Sequence, residues 1–197
     1  MTVSYSFLKD FGQEYDTLVL PVYEGPEPGH AADRFSEERG GFLPALLSRN
    51  ATFNGKNGQS LVVPLTEADS PARLVLLGLG EKSKMNAHTC EKAGGALAQI
   101  LKSCGTVRAA FQADDETQDE NPLVCGVHVA LGVKLRSYSF DKYKSMDEDE
   151  SRLSLENFDV IVNHVDDAMA MFNRLNASVD GTLFARDLIS EPANHLQ

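Results

Sequence analysis

Leu74-Val75-Leu76-Leu77-Gly78-Leu79-Gly80 is the stretch from which the fold can be read. It is short and continuously apolar, bounded by turn residues. That pattern fits a strand covered on both faces, as in a parallel sheet flanked by helices. Thr17-Leu18-Val19-Leu20-Pro21-Val22-Tyr23 has the same character. Pro21 removes a ladder donor there, which predicts a place near an edge or at a bulge. Residues 59–65, 106–111 and 158–162 read as further strands, and residues 2–7 alternate weakly, as an edge strand would. Helical segments fall between them. Residues 31–50 form one or two helices interrupted at Gly40-Gly41. Asn86 caps a helix running to about Ser103. Asn121-Pro122 pairs an N-cap with proline at the first helical position, and Leu123, Val127, Leu131 and Leu135 follow at every fourth residue. Gly126 and Gly132 in that helix permit close packing against a sheet. Phe53-Asn54-Gly55-Lys56-Asn57-Gly58 carries the Asn-Gly chemistry of a hairpin turn. Strands alternating with helices indicate an α/β domain with a parallel or mixed sheet.

The last part of the chain has a different design. Ala168, Phe172, Leu175, Val179, Leu183, Phe184 and Leu188 keep one helical face, which predicts a single helix to about Ser190, on the order of 40 Å long. Gly181 weakens it and is a place for a kink, and Glu191-Pro192 ends it. A long helix that leads into a short turn reads as a connector to a second domain, so the chain divides into residues 1–163 and a connector, 164–197.

Composition narrows the function. The 197 residues carry 18 Lys and Arg against 29 Asp and Glu, a net charge of -11. Nucleic-acid binding draws its affinity from neutralising phosphates, so this balance opposes it. The nearest approach to a basic patch is Lys134 and Arg136 with Lys142 and Lys144, read as solvated surface. No apolar run has the length of a membrane helix, and residues 1–10 show no basic region leading into an apolar core. Cytoplasmic residence is the expectation. Cys90, Cys104 and Cys125 make no CxxC pair. Cys90 and Cys104 lie about 20 Å apart along one helix, beyond disulfide reach, so buried, reduced thiols are expected.

Each candidate chemistry has a structural alternative. Gly78-Leu79-Gly80-Glu81-Lys82-Ser83 follows a strand and precedes a helix, where phosphates bind in α/β proteins. It lacks both the P-loop spacing and the third glycine of GxGxxG, which favours a tight strand exit. His30, His88, His128, His164 and His195 form no i, i+3 or i, i+4 pair. His128 sits beside a buried stripe, where a hydrogen-bonded packing role is expected, and His195 is read as orienting the connector. Asp114-Asp115-Glu116 and Asp147-Glu148-Asp149-Glu150 lack EF-hand ligand spacing and read as solvated acidic loops. No catalytic, cofactor-binding or metal-ligating residue is assigned.

Two segments carry a family resemblance. Arg186-Asp187-Leu188-Ile189-Ser190-Glu191-Pro192-Ala193-Asn194-His195-Leu196 resembles the segment joining the two domains of leucyl aminopeptidases (cytosol aminopeptidases), R-D-L-x-N-x-P-x-N-x-L, with Ser190 in place of the usual Asn. Leu135-Arg136-Ser137-Tyr138-Ser139-Phe140-Asp141-Lys142-Tyr143-Lys144 is similar to the family's L-x-x-Y-x-F-x-x-Y-K stretch. The resemblance implies a three-layer, macro-domain-like N-terminal domain and a connector that ends before the catalytic domain. It implies a metallo-exopeptidase that releases N-terminal residues from peptides and assembles as a hexamer. Two divalent ions (zinc, manganese or magnesium) would hold the carbonyl and activate water, with all ligands in the catalytic domain. This chain alone is then expected to be inactive and structural. The alternative is a stand-alone macro-like module binding a nucleotide or ADP-ribose near residues 78–83.

Overall fold

In the computed structural model, which describes residues 3–11, 14–65, 71–114, 121–140 and 155–191, the apolar run at Leu74 becomes β5 (Arg73–Gly80), buried from its second residue onward. It lies between β2 (Thr17–Tyr23), with which it is parallel, and β4 (Ser60–Pro64), with which it is antiparallel. Beyond β2 come β6 (Arg108–Gln112), β7 (Asn157–Ile161) and the edge strand β1 (Ser4–Leu8), all parallel. The order is β1-β7-β6-β2-β5-β4, and a two-residue β3 (Glu27–Pro28) pairs antiparallel with β2.

Successive strand residues point to opposite faces, and each face has its own core. Leu18, Leu20, Val22, Leu74, Leu76 and Ala110 lie under α1 (His30–Glu37) and α2 (Leu43–Arg49), with Phe35, Leu43 and Leu47 from those helices. Val19, Val75, Leu77, Phe111, Phe158 and Val160 lie under α3 (Ala87–Ser103), α4 (Asn121–Ser137) and α5 (Val165–Ser190). The result is the expected three-layer α/β architecture followed by a long C-terminal helix. Gly40 and Gly41, at φ 83° and 71°, separate α1 from α2 where the sequence put the interruption. Asn86 caps α3 in a full capping box with Thr89, an arrangement worth about 1 kcal/mol.

Several elements differ from their sequence reading for identifiable reasons. Pro21 stands in an interior strand. Pairing of β2 with β6 stops at Val19, and past that point the Pro21 carbonyl accepts from Gly29 N on the same edge. The missing donor therefore interrupts no ladder. The expected irregularity comes one residue later, as a register shift between Val22 and Tyr23. Residues 53–58 make no hairpin; they form a loop that caps the ends of β2 and β5. Gly132 packs against α3 rather than the sheet: a Cβ there would overlap the Glu91 carbonyl, and one at Gly94 would overlap that of Val129. The two helices thus cross at backbone contact, while Gly126 faces Val160 of β7 and Val162 just past it. Enclosed by sheet, α3 and α5, α4 is buried continuously over residues 125–133, which is why it shows little one-sidedness.

Helix α5 runs through Gly181 without a break. Ala168, Phe172 and Val179 enter the core, with Leu175 and Leu183 packed at its border. Lys134 is no solvated cation, since its Nζ donates to Asn176 Oδ1 and Asp180 Oδ1, both at 2.5 Å, tying α4 to α5.

Candidate functional site

The strand exit at residues 78–83 is closed by its own chain. Gly78 N donates to Gln59 O at 2.8 Å and Gly80 N to Gly55 O at 3.0 Å, while Gly58 N donates to Gly78 O. Asn57 Nδ2 donates to Leu79 O and Thr89 O. Gly55, at φ 68°, lies so close that a Cβ would overlap the Tyr23 carbonyl. A phosphate cradle needs free amides converging on one point. Here the Gly78 and Gly80 amides are taken by Gln59 and Gly55, which favours a structural strand exit.

Next to it the same sheet edge holds a buried polar group that the sequence reading placed in solvent. Asp114, expected in a solvated acidic loop, is buried. Its Oδ2 accepts from Tyr23 Oη at 3.1 Å and its Oδ1 from Ala31 N at 3.4 Å. Helix α1 begins after Gly29, which has no capping side chain, so the Asp114 carboxylate serves its N-terminus from the segment just past β6. Burial, and then the Asp114 charge, push the Tyr23 phenol well above its usual range and keep it a donor. Cys90 on α3 and Cys125 on α4 are neighbours here. Hydrogen bonding to Cys90, followed by burial, pushes the Cys125 thiol well up. All three cysteines are free, Cys90 and Cys125 buried and Cys104 partly exposed. Thiolate is the reactive form, so iodoacetamide at mildly alkaline pH should add once to the native chain, at Cys104. Three adducts should appear only after unfolding in guanidinium. Mass spectrometry counts them, and early modification of Cys125 would contradict the burial described.

The open part of this edge lies over β1, β6 and β7. A crevice of about 180 Å³ is lined by Lys9, Asp10 and Phe11 after β1, by His30, Ala31 and Arg34 of α1, by Gln112 and Ala113 at the end of β6, and by Ile161 and Asn163 at the end of β7. It lies beside the place where the strand order reverses, since the chain moves from β2 to β4 and β5 on one side and then to β6 and β7 on the other. Open α/β sheets bind ligands at such a switch point. Of the titratable residues singled out in the sequence, His30 is the one brought here.

The others go elsewhere. His128 Nδ1 lies 2.7 Å from Glu91 Oε1, the expected packing role realised between α4 and α3. His88 lies in the first turn of α3, and His164 precedes α5 without a side-chain capping bond. His195, residues 115–120, Lys142, Lys144 and the acidic run 147–150 lie outside the described residues. Among the described residues no group of three or more His, Cys, Asp and Glu could hold a metal ion. The described side chains alone offer no ligand set for a two-metal centre.

The far end of α5 exposes apolar surface. Phe184 is 62% and Ile189 85% exposed, and Leu188 is also open. The two segments that carried the resemblance meet at this end. Tyr138 Oη donates to Asp187 Oδ1 at 2.7 Å, Arg186 Nη1 donates to Leu135 O at 3.0 Å, and the Arg186 guanidinium lies 5.8 Å from the centre of the Tyr138 ring.

The fold is a three-layer α/β domain followed by a long helix whose far end exposes apolar surface. Residues 19–147 match the profile of the cytosol aminopeptidase family, N-terminal domain, and the chain belongs to that family. A probable cytosol aminopeptidase of Rhizobium etli (strain CIAT 652) is 32% identical over 154 residues, covering 77% of this chain and 30% of the relative. The chain thus spans about a third of the length of the curated relatives it matches. Among solved structures, a tomato leucine aminopeptidase mutant superposes with a TM-score of 0.77 at 22% identity, over 98% of this chain and 40% of that one. The macrodomain of Thermus aquaticus DarG superposes with a TM-score of 0.54 at 8% identity, over 80% of this chain and 97% of that one, a likeness of fold. Among the described residues no helix is long and apolar enough to cross a membrane.

Proposed function

We propose that this chain is the non-catalytic N-terminal part of a metal-dependent, leucyl aminopeptidase-like exopeptidase that releases N-terminal residues from peptides. Residues 1–163 would be the domain proper and 164–197 the connector. Their role is structural, packing on a following catalytic domain and shaping a homo-oligomer, a hexamer by family resemblance. The two divalent ions and every catalytic group belong to that following domain, and the cytosolic naming of the relatives supports a cytoplasmic setting. The observation that carries the reading is the contact between Tyr138 and Arg186-Asp187. It fixes the end of α5 that carries Phe184, Leu188 and Ile189, an exposed apolar surface of the kind that marks an interface.

The test is hydrolysis of a leucine-amide chromogenic substrate, with manganese or zinc added, by this chain and by one extended through the next domain. Turnover in the extended protein alone is the expected result. Turnover in neither would move the assignment to a stand-alone binding module, the reading that the macrodomain-like fold supports. Turnover by the 197 residues alone would place the active site inside this domain.

A further inference from the structure

We infer that the crevice over β1, β6 and β7 is a binding site for a small zwitterion, a free α-amino acid. Its floor carries the first argument. Gln112 is 8% exposed, its side chain lines the crevice, and its amide has no hydrogen-bond partner among the described residues. A mostly buried amide that opens onto the crevice is held ready to hydrogen-bond whatever occupies it. The rim carries the second. Lys9 and Arg34 line the crevice as cations without an ion-pair partner among the described residues, and Asp10 lines it as an acid in the same condition. In a chain with net charge -11, two unpaired cations beside one carboxylate match a ligand that carries both signs.

Size and the neighbouring charges select among ligands. About 180 Å³ is the space of roughly six waters, below the roughly 300 Å³ at which pockets for larger ligands begin. The volume favours a ligand smaller than a nucleotide. A dianionic phosphate meets Asp10 at the rim and gains little from the N-terminus of α1, which Asp114 already serves. An α-amino acid places its carboxylate toward Lys9 and Arg34 and its ammonium toward Asp10. An apolar side chain then meets Ile161 and the Phe11 ring, which is 47% exposed. Gln112 has donors and an acceptor for either polar end. The inference stands apart from the aminopeptidase reading, because the crevice lies wholly within this chain.

The experiment is a titration of the 197-residue chain with L-leucine, followed by backbone amide chemical shifts. Saturable shifts are expected at His30, Gln112, Ala113 and Asn163. Arg34→Gln should weaken leucine at least about tenfold, the loss of one charge-assisted bond. Asp10→Asn should weaken leucine and leave 4-methylpentanoate, the same molecule without its ammonium, unchanged. Both positions are exposed, so the variants should keep the parent spectrum elsewhere. Three outcomes would overturn the proposal: no saturable shift, a leucine affinity indifferent to Arg34→Gln and Lys9→Gln, or inorganic phosphate binding more tightly than leucine. None of these depends on whether an extended chain turns over a leucine amide.

Discussion

Gly132→Val is expected to cost the chain about 3 kcal/mol or more, and in a domain of ordinary stability that is a large share of the total. The reason is local and rigid. A Cβ at residue 132 would overlap the Glu91 carbonyl of α3, a backbone atom in the middle of a helix that cannot step aside alone. Gly94 makes the reciprocal contact with Val129, so relieving the clash means separating α3 from α4 along the seam. That separation would uncover Leu97, Val129 and Val133, all fully buried. Gly181→Ala is the control. Nothing lies within 4 Å of a Cβ there, the residue is mid-helix, and the exchange should stabilise by up to about 1 kcal/mol. Urea unfolding of both variants checks the pair. A Gly132→Val midpoint equal to the parent's would mean that α3 and α4 do not touch through their backbones.

These glycines illustrate how far the sequence could be read. Composition and spacing located α4, its proline start and its Leu131 face, because those signals are local. That Gly132 meets a helix rather than a strand depends on which element lies opposite, and no periodicity encodes it. Residues 53–58 fail for the same reason. Asn-Gly chemistry specifies a left-handed turn, and Gly55 provides one, yet whether that turn joins two strands or caps a third is decided by Tyr23 and Gly78, more than twenty residues away in either direction. Pro21 signalled a departure from regular pairing, and the register shift at Val22 answers it. Its interior position follows from β6 ending early, a fact about another segment. The family segments are the reverse case. Tyr138 and Arg186-Asp187 were legible as motifs, while their contact with each other appeared only in three dimensions. Of the crevice, His30 alone had drawn notice, since Lys9, Arg34 and Gln112 belong to no motif and come together because three strands end at one edge.

Asp114 shows what such a long-range assignment implies energetically. Asp114→Ala should destabilise by about 1–3 kcal/mol, the range for leaving a buried donor unanswered. It strands the Tyr23 hydroxyl and withdraws the acceptor from Ala31 N at the start of α1. Asp114→Asn keeps an acceptor oxygen in place and should lose less than half as much. Hydrogen exchange at the Ala31 amide gives a readout besides global unfolding, because protection there should fall in Asp114→Ala before the sheet amides change. Gly29 sharpens the prediction. A Cβ at that position would come within 2.9 Å of Asp114 Oδ2, so Gly29→Ala should disturb the same carboxylate from the other side and reproduce part of the Ala31 effect. An Asp114→Ala chain as stable as its parent would mean that the cost of desolvating the acid cancels what its hydrogen bonds return. The carboxylate would then be held for the charge it presents beside the crevice, and the leucine affinity of that variant would have to change while its stability did not.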